Sequence, residues 1–440
     1  MSAAARAEWW RAEIVPAGAT LPRQMAPGAR PKAAGSAVPF WALMTFTFVL
    51  LLAPQAFVPA LAPLRLGLLT AALAITTWLI DRFSCGQPIM RIAPEPVAAA
   101  CLVAWALLTV PWSYWPGGSL AFLLDVYLKT LAIFWLLGQV VNTRPRLRLV
   151  AWGLALMALP LAVYGIHEYL AGRFIDGGPV KRILSYDAPL TQNPNDLALM
   201  LNLILPPTLA LALLQGAPLP RLLLLGCAAL DAVAVILTFS RAGFICLALT
   251  GVIYFVRLVR RPGRVWAIAA LLLALACAPL LPSGYLDRLA TITDIGSDPT
   301  GSAQERWGDT LAAVRLVSGS PIIGAGAGMN ILALNEARGA IWKKVHNVYL
   351  EYAVDLGLPG LLLFLAILAG SFRATALVMK RTAGRPAWRD LFLLAEGIQA
   401  SLAVFAVAAM FHPVAYHFYF YYMAGLALAA RAVCEAEAQG

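Results

Sequence analysis

Apolar residues recur along this chain in twelve long stretches, near 38–60, 64–80, 92–112, 120–141, 147–172, 195–215, 219–239, 242–258, 264–281, 346–370, 389–412 and 416–434. Each approaches or exceeds the roughly 20 residues that an α-helix needs to cross a bilayer. Lipid cannot satisfy open backbone groups, so helices are the expected spanning element. The pattern predicts an all-α polytopic membrane protein with about 12 transmembrane helices. The polar intervals are short except for one loop, 282–345, between the ninth and tenth stretches. The chain thus divides into a tail at 1–37, nine helices over 38–281, the loop 282–345, three helices over 346–434 and a short tail at 435–440. No small-residue cleavage site follows the first apolar run, so the N-terminal segment reads as a cytoplasmic tail and not as a signal peptide.

Composition agrees with this reading. Of 440 residues, 61% are hydrophobic and 12% charged, with a mean hydropathy of +0.76. Those values exclude a water-soluble globular enzyme and a disordered chain. A net charge of +11 invites a nucleic-acid reading until its placement is examined. With both termini cytoplasmic, about 21 of the 33 Lys/Arg fall in cytoplasmic segments and five in short outer loops. That asymmetry is the positive-inside signal. The charge therefore records topology, and no nucleic-acid partner is expected. The six cysteines lie in or beside apolar stretches with no C-x-x-C spacing, so they read as packing residues.

This orientation places His167, His346, His412 and His417, all at helix ends, on the outer face together with the long loop. Within that loop, residues 301–318 space Trp307, Leu311, Val314 and Ser318 at helical intervals, which predicts an amphipathic helix at the membrane surface. Gly324, Gly326 and Gly328 follow, permitting tight turns or close approach to a ligand. No strand precedes them, so they are weak evidence for a nucleotide site. His346 opens the tenth helix after Lys343 and Lys344. The helix dipole and both lysines favour its neutral form, which can accept a proton; an interfacial helix-start residue is the plainer role. Arg241 sits at the junction of the seventh and eighth helices. There its fork suits phosphate oxygens, or it serves only as an interfacial anchor. Arg306, on the loop helix, reaches the same region or is a solvated face charge. Asp125 and Lys129 are spaced i, i+4 in the fourth helix and read as an internal ion pair.

Four segments together resemble the O-antigen ligase / O-unit polymerase superfamily of bacterial envelope glycosyltransferases, which are GT-C-like membrane enzymes. His346-Asn347, nine residues, then Gly357-Leu358-Pro359-Gly360 is similar to the ligase pattern H-[N/S/Q]-x9-G-x-x-G. Thr191 to Ala198 is similar to the family's N-P-N segment before the sixth helix, and Thr238 to Gly243 to its T-x-S-R segment. Glu305-Arg306 followed by Ser320 to Gly326 is similar to the loop arginine and its P-x-x-G-x-G turn. One departure concerns the Trp often found a turn after that arginine: Thr310 holds the position here, and Trp307 adjoins the arginine. The motifs cover residues 185–365, and the helix count covers the full chain.

The resemblance implies an enzyme of the bacterial inner membrane with its active site facing the periplasm. It would transfer a glycan from undecaprenyl pyrophosphate to lipid A–core oligosaccharide. It implies His346 as general base, with Arg241 and Arg306 on the pyrophosphate. Asn347, Asn195, Tyr349, Gly324 and Gly326 are candidates for support. Direct displacement inverts the anomeric centre. The outer loops carry no D-x-D or E-x-D pair, so neither a metal nor a cofactor is expected. The nearest rival is a polymerase of the same superfamily; its R-x10-G spacing occurs here from Arg315 to Gly326. A twelve-helix transporter is the rival from a different class.

Overall fold

The computed structural model describes residues 36–86, 93–175, 180–183, 186, 188–261, 264–294, 296, 298, 300–339 and 341–438. Residues 1–35 of the expected N-terminal tail and 439–440 of the expected C-terminal tail lie outside the described residues. Regular structure among the described residues is helical, apart from an isolated antiparallel bridge between Phe174 and Ile183. The long helices are α1 (Val38–Leu52), α2 (Leu66–Ser84), α3 (Pro94–Thr109), α4 (Pro116–Val140), α5 (Arg144–Leu170), α6 (Pro194–Leu214), α7 (Pro218–Leu237), α8 (Arg241–Val259) and α9 (Arg264–Cys277). The loop carries α10 (Tyr285–Ala290), α11 (Ser302–Gly319) and α12 (Asn330–Arg338). The chain ends in α13 (Val348–Thr382), α14 (Arg389–Ala408) and α15 (Phe418–Ala438).

Every predicted apolar stretch forms a helix, and the protein is an all-α polytopic membrane protein. Among the described residues, nine helices are long and apolar enough to cross a membrane. Val38–Leu52 and Arg264–Leu280 are apolar but shorter. Phe418–Ala438 has the length, yet it carries three tyrosines with Arg431, Glu435 and Glu437 and is not among the nine. It extends over residues 435–438, which the apolar pattern assigns to a tail. The first predicted stretch stops early because Ala53, at φ 39°, turns the chain out of α1.

α6 is the central helix, packed against α5, α7, α8 and α14. Pro206 and Pro207 within it remove two backbone donors. The Leu203 carbonyl, which Pro207 cannot bond, instead accepts the Ser401 hydroxyl at 2.7 Å, and Tyr254 donates to the Pro206 carbonyl at 2.6 Å. Asn202 donates to the Gly243 carbonyl at 3.1 Å and so ties α6 to the first turn of α8. At the helix ends far from the loop, Arg431 bonds both Glu95 oxygens at 2.7 and 2.8 Å, and Arg261 pairs with Glu396 at 2.5 Å.

α13 is broken at Gly357, whose φ of 68° and ψ of −174° lie outside the helical region. The break and Pro359 free three carbonyls, and each finds a donor. Val354 O accepts from Ala325 N at 2.7 Å, Asp355 O from Gly326 N at 2.8 Å, and Leu356 O from Trp105 Nε1 at 2.8 Å. In return Leu358 N donates to Pro321 O at 2.7 Å. The glycine turn of the loop and the kink of α13 are therefore one interlocked unit. A Cβ on Gly357 would stand 2.1 Å from the Ile322 carbonyl oxygen, and one on Gly324 2.6 Å from that of Asp355. On α11 the buried face is Asp309, Ala312 and Ala313, while Trp307, Leu311 and Val314 point outward and are exposed.

Gly357→Ala combines a left-handed φ with a backbone clash, strain of about 1–3 kcal/mol or more. Its unfolding midpoint in detergent should fall clearly. Gly319→Ala, where an added Cβ meets nothing within 4 Å, should leave the midpoint unchanged.

Candidate active site

The site forms where helix ends meet the loop. Asn193 caps α6, accepting from Asn195 N and Asp196 N at 2.9 and 3.1 Å, and this directs Asn195 outward from the helix start. Between α7 and α8 the chain turns through Phe239 at φ 54°, with its ring packed against Tyr169 and Tyr285. Ser240 then caps α8 by accepting from Gly243 N at 3.1 Å, so Arg241 becomes the first helical residue. A cation at a helix N-terminus opposes the macrodipole and needs compensation. Asp298 supplies it: Arg241 Nη2 lies 3.1 Å from Asp298 Oδ2, and the same arginine donates to Thr291 Oγ1 at 2.8 Å and Ser302 Oγ at 3.0 Å. Arg288 donates to the other Asp298 oxygen at 2.7 Å.

Two further arginines join this pair. Arg182 donates to Asn195 Oδ1 at 2.9 Å, and its buried Nε has no partner among the described residues. Arg306 projects from α11, and among the described residues its guanidinium hydrogen-bonds to none. Burial and the neighbouring Arg288, Arg306 and Arg241 push the Arg182 guanidinium down to about 10. Burial, Arg241 and Arg288 act on Arg306 in the same direction. Burial alone would raise the Asp298 carboxyl, but hydrogen bonds from Thr300, the charge of Arg241 and the Ser302 hydroxyl outweigh it and hold the group well below the usual carboxylate range. The cluster thus keeps a surplus of positive charge.

Two adjoining cavities open here. A small one, about 50 Å³, is lined by Arg182, Asn195, Arg241, Arg288, Arg306 and His412. A larger one, about 510 Å³, shares Arg182, Asn195, Arg306 and His412 and adds Lys343, Lys344, His346 and His417. Arg182 and Arg306 therefore stand between the Arg241 end and the His346 end. Burial and then Arg306 bring the His346 imidazole down to about 4, with His412 and Lys343 adding to the effect and Glu305 opposing it. Burial likewise holds His412 and His417 at about 4. All three imidazoles are neutral at neutral pH. A polyanion can be gripped at one end of this recess, and a proton accepted at the other.

Of the residues singled out from sequence, His346, Arg306 and Asn195 line the larger cavity and Arg241 the smaller. Asn347 caps α13 by accepting from Leu350 N at 3.1 Å. Tyr349 donates to the Ala406 carbonyl at 2.8 Å and lines neither cavity. Gly324 and Gly326 pack against α13 and against Ser113 and Ser119, away from the cavities. The sequence alone assigns no role to Arg182, His412, His417, Arg288 or Asp298. No local pattern marks these residues. Their partners are up to 217 positions away.

Fold and site together define a polytopic membrane protein with a cationic recess at the loop end of its helices. Residues 226–365 match the family model described as O-Antigen ligase, a segment that includes Arg241, Arg288, Asp298, Arg306 and His346. The match supports assignment of the chain to the O-antigen ligase/polymerase family, whose members are membrane glycosyltransferase-like enzymes. No curated protein matches the chain. Arg182, Asn195, His412 and His417 contribute to the recess from outside the matched segment.

Asp298→Asn should destabilise the loop end by about 3–5 kcal/mol, the scale for stranding buried charges. The carboxyl has a lowered native pKa, so its stabilisation is fully present above its unfolded pKa of about 4. It is lost progressively as pH falls from there towards the lower native value. The wild-type excess in unfolding midpoint over Asp298→Asn should therefore hold at about pH 5 and above, and shrink only in stronger acid.

Proposed function

We propose that the recess transfers a glycan from undecaprenyl pyrophosphate to the lipid A–core oligosaccharide, at the periplasmic face of the bacterial inner membrane. One observation carries the reading: four arginines, two of them paired with Asp298, line two adjoining cavities together with a neutral imidazole, His346. The placement of Lys/Arg along the sequence supports the orientation. The family supports lipid-linked glycan and lipid A–core as the general substrate classes.

In this reading Arg182, Arg241, Arg288 and Arg306 hold the pyrophosphate, and planar guanidinium forks fit its oxygens. The acceptor hydroxyl oxygen attacks the anomeric carbon and its proton passes to His346. The bond from that carbon to the pyrophosphate breaks, and its electron pair leaves with undecaprenyl pyrophosphate. The charge growing on the leaving group meets cations already in place, so stabilisation is greatest in the transition state. Attack opposite the leaving group inverts the centre. Arginines carry the phosphate contacts, so transfer should persist in chelator.

The test is transfer by purified protein from undecaprenyl-pyrophosphate-linked glycan to rough lipopolysaccharide. Extension of the donor glycan instead, with no product on the core, would identify a polymerase; movement of substrate across vesicles without transfer would identify a transporter. His346→Ala should remain folded and lose about 10²–10⁴-fold in turnover, the span of a general base. Near-normal turnover would remove His346 from the reaction.

A base already neutral in the free enzyme gives a distinctive pH profile. The acid limb of kcat/KM due to His346 should fall near pH 4. An unperturbed histidine would place it near about 6.5. Nearly constant kcat/KM from about pH 8 down to about 5.5 is the expected record.

A further inference from the structure

We infer that Asp309 positions His346 for the proposed reaction: its carboxylate accepts a hydrogen bond from Nδ1–H of the imidazole, which leaves Nε2 as the atom that takes the hydroxyl proton. The inference rests on the glycosyl-transfer reading above. It concerns a residue that no sequence motif and no cavity lining identifies.

Asp309 lies on the buried face of α11, three residues beyond Arg306, and is 2% exposed. Its two oxygens have separate duties. Oδ1 is ion-paired with Arg338 of α12. Oδ2 lies 4.0 Å from His346 Nδ1. Among the described residues, neither Oδ2 nor His346 Nδ1 has a hydrogen-bond partner, and both atoms are shut off from solvent. A buried carboxylate oxygen and a buried ring nitrogen, each orphaned and each facing the other, are costly apart and complementary together. A movement of about 1 Å brings them to hydrogen-bonding distance. Catalytic hydrogen bonds are often this long before substrate arrives and tighten in the complex.

The geometry decides which nitrogen does the chemistry. A neutral imidazole carries one N–H, and the partner of that N–H fixes the tautomer. With Nδ1–H directed at Asp309, the lone pair is on Nε2. When the acceptor proton reaches Nε2, the imidazolium that forms has a carboxylate against its other nitrogen. The other charged groups acting on His346 are Arg306, Lys343 and Glu305. Glu305 is already bound by Lys343 at 2.6 and 2.8 Å. With both Glu305 oxygens taken, Asp309 Oδ2 is the carboxylate oxygen left open to the imidazolium.

The test uses the full chain in lipid nanodiscs, with wild type, Asp309→Asn, His346→Ala and the double variant Asp309→Asn/His346→Ala. Should Asp309→Asn alone fail to fold because Arg338 loses its partner, Asp309→Asn/Arg338→Gln replaces it in both measurements. The first readout is the imidazole ¹⁵N spectrum of histidine-labelled protein, with the His346 signals assigned by their loss in His346→Ala. Wild type should show the Nδ1-protonated tautomer, and Asp309→Asn should shift it towards the Nε2-protonated form because the amide can donate to Nδ1. The second readout is transfer from undecaprenyl-pyrophosphate-linked glycan to rough lipopolysaccharide. Asp309→Asn should lower kcat by about 10²–10⁴-fold with KM little changed. It should add no further loss in the His346→Ala background, because a positioning residue has nothing left to position. An unchanged tautomer, an unchanged kcat, or a loss that multiplies with that of His346→Ala overturns the inference. If wild type transfers no glycan, the functional reading falls, and the tautomer measurement still decides the Asp309–His346 bond by itself.

Discussion

Four guanidinium groups cannot be gathered at a helix junction without a cost, and the loop end of this protein is arranged around that cost. Like charges a few ångströms apart repel by about 4 kcal/mol in a half-buried setting. Asp298 offsets part of it by binding Arg241 with one oxygen and Arg288 with the other. Thr300 and Ser302 hold that carboxylate in turn, at 2.8 and 3.0 Å. Arg182 and Arg306 have no such partner, and mutual repulsion with burial pushes both guanidiniums down. The arginines of the recess therefore repel one another, and a multiply charged anion would relieve that repulsion. A stable core alone would not retain two uncompensated cations beside a compensated pair.

For the proposed reaction, a cluster of this kind is useful only if His346 is held at a fixed place relative to it. The interlock between the glycine turn and the α13 kink does this with backbone alone. The turn follows α11, which carries Arg306 and Asp309. The kink lies in α13, whose first turn follows His346. Hydrogen bonds from Ala325, Gly326 and Leu358 join the two stretches directly, and Val348 N donates to the Ala409 carbonyl at 2.7 Å, bringing in the segment that carries His412. The glycines that resemble a ligand cradle in sequence thus serve the site at one remove.

Much of this was legible in the chain, and what was not has a definite physical character. Each apolar stretch became a helix because length and hydropathy are local properties. The number of full membrane crossings was less legible: α1 ends at a left-handed alanine, and α15 carries tyrosine hydroxyls and Arg431, which are satisfied by distant partners such as Tyr127 and Glu95. His346, Arg241, Arg306 and Asn195 could be found because each belongs to a short motif. Arg182, Arg288 and Asp298 could not, because their meaning lies in one another. Gly324 and Gly326 show the limit most clearly. Sequence indicated that the backbone must turn or approach something closely, but the groups approached, Asp355 and Ser113, are fixed by the tertiary fold.

The low basicity of His346 carries a consequence for the order of events in the proposed reaction. A buried imidazole beside Arg306 and Lys343 stays free of protons at neutral pH, and the same surroundings make it a weak base. A pyrophosphate bound to the arginines adds negative charge to the same recess. That charge screens Arg306 and favours the protonated imidazole, so the affinity of His346 for a proton rises as the donor arrives. The base is then weak in the free enzyme, where deprotonating water would serve nothing. It is strongest in the complex, where the acceptor hydroxyl must lose its proton. In the proposed reaction the arginines would do more than bind the leaving group: by way of the substrate's own charge, they would set when the histidine becomes competent.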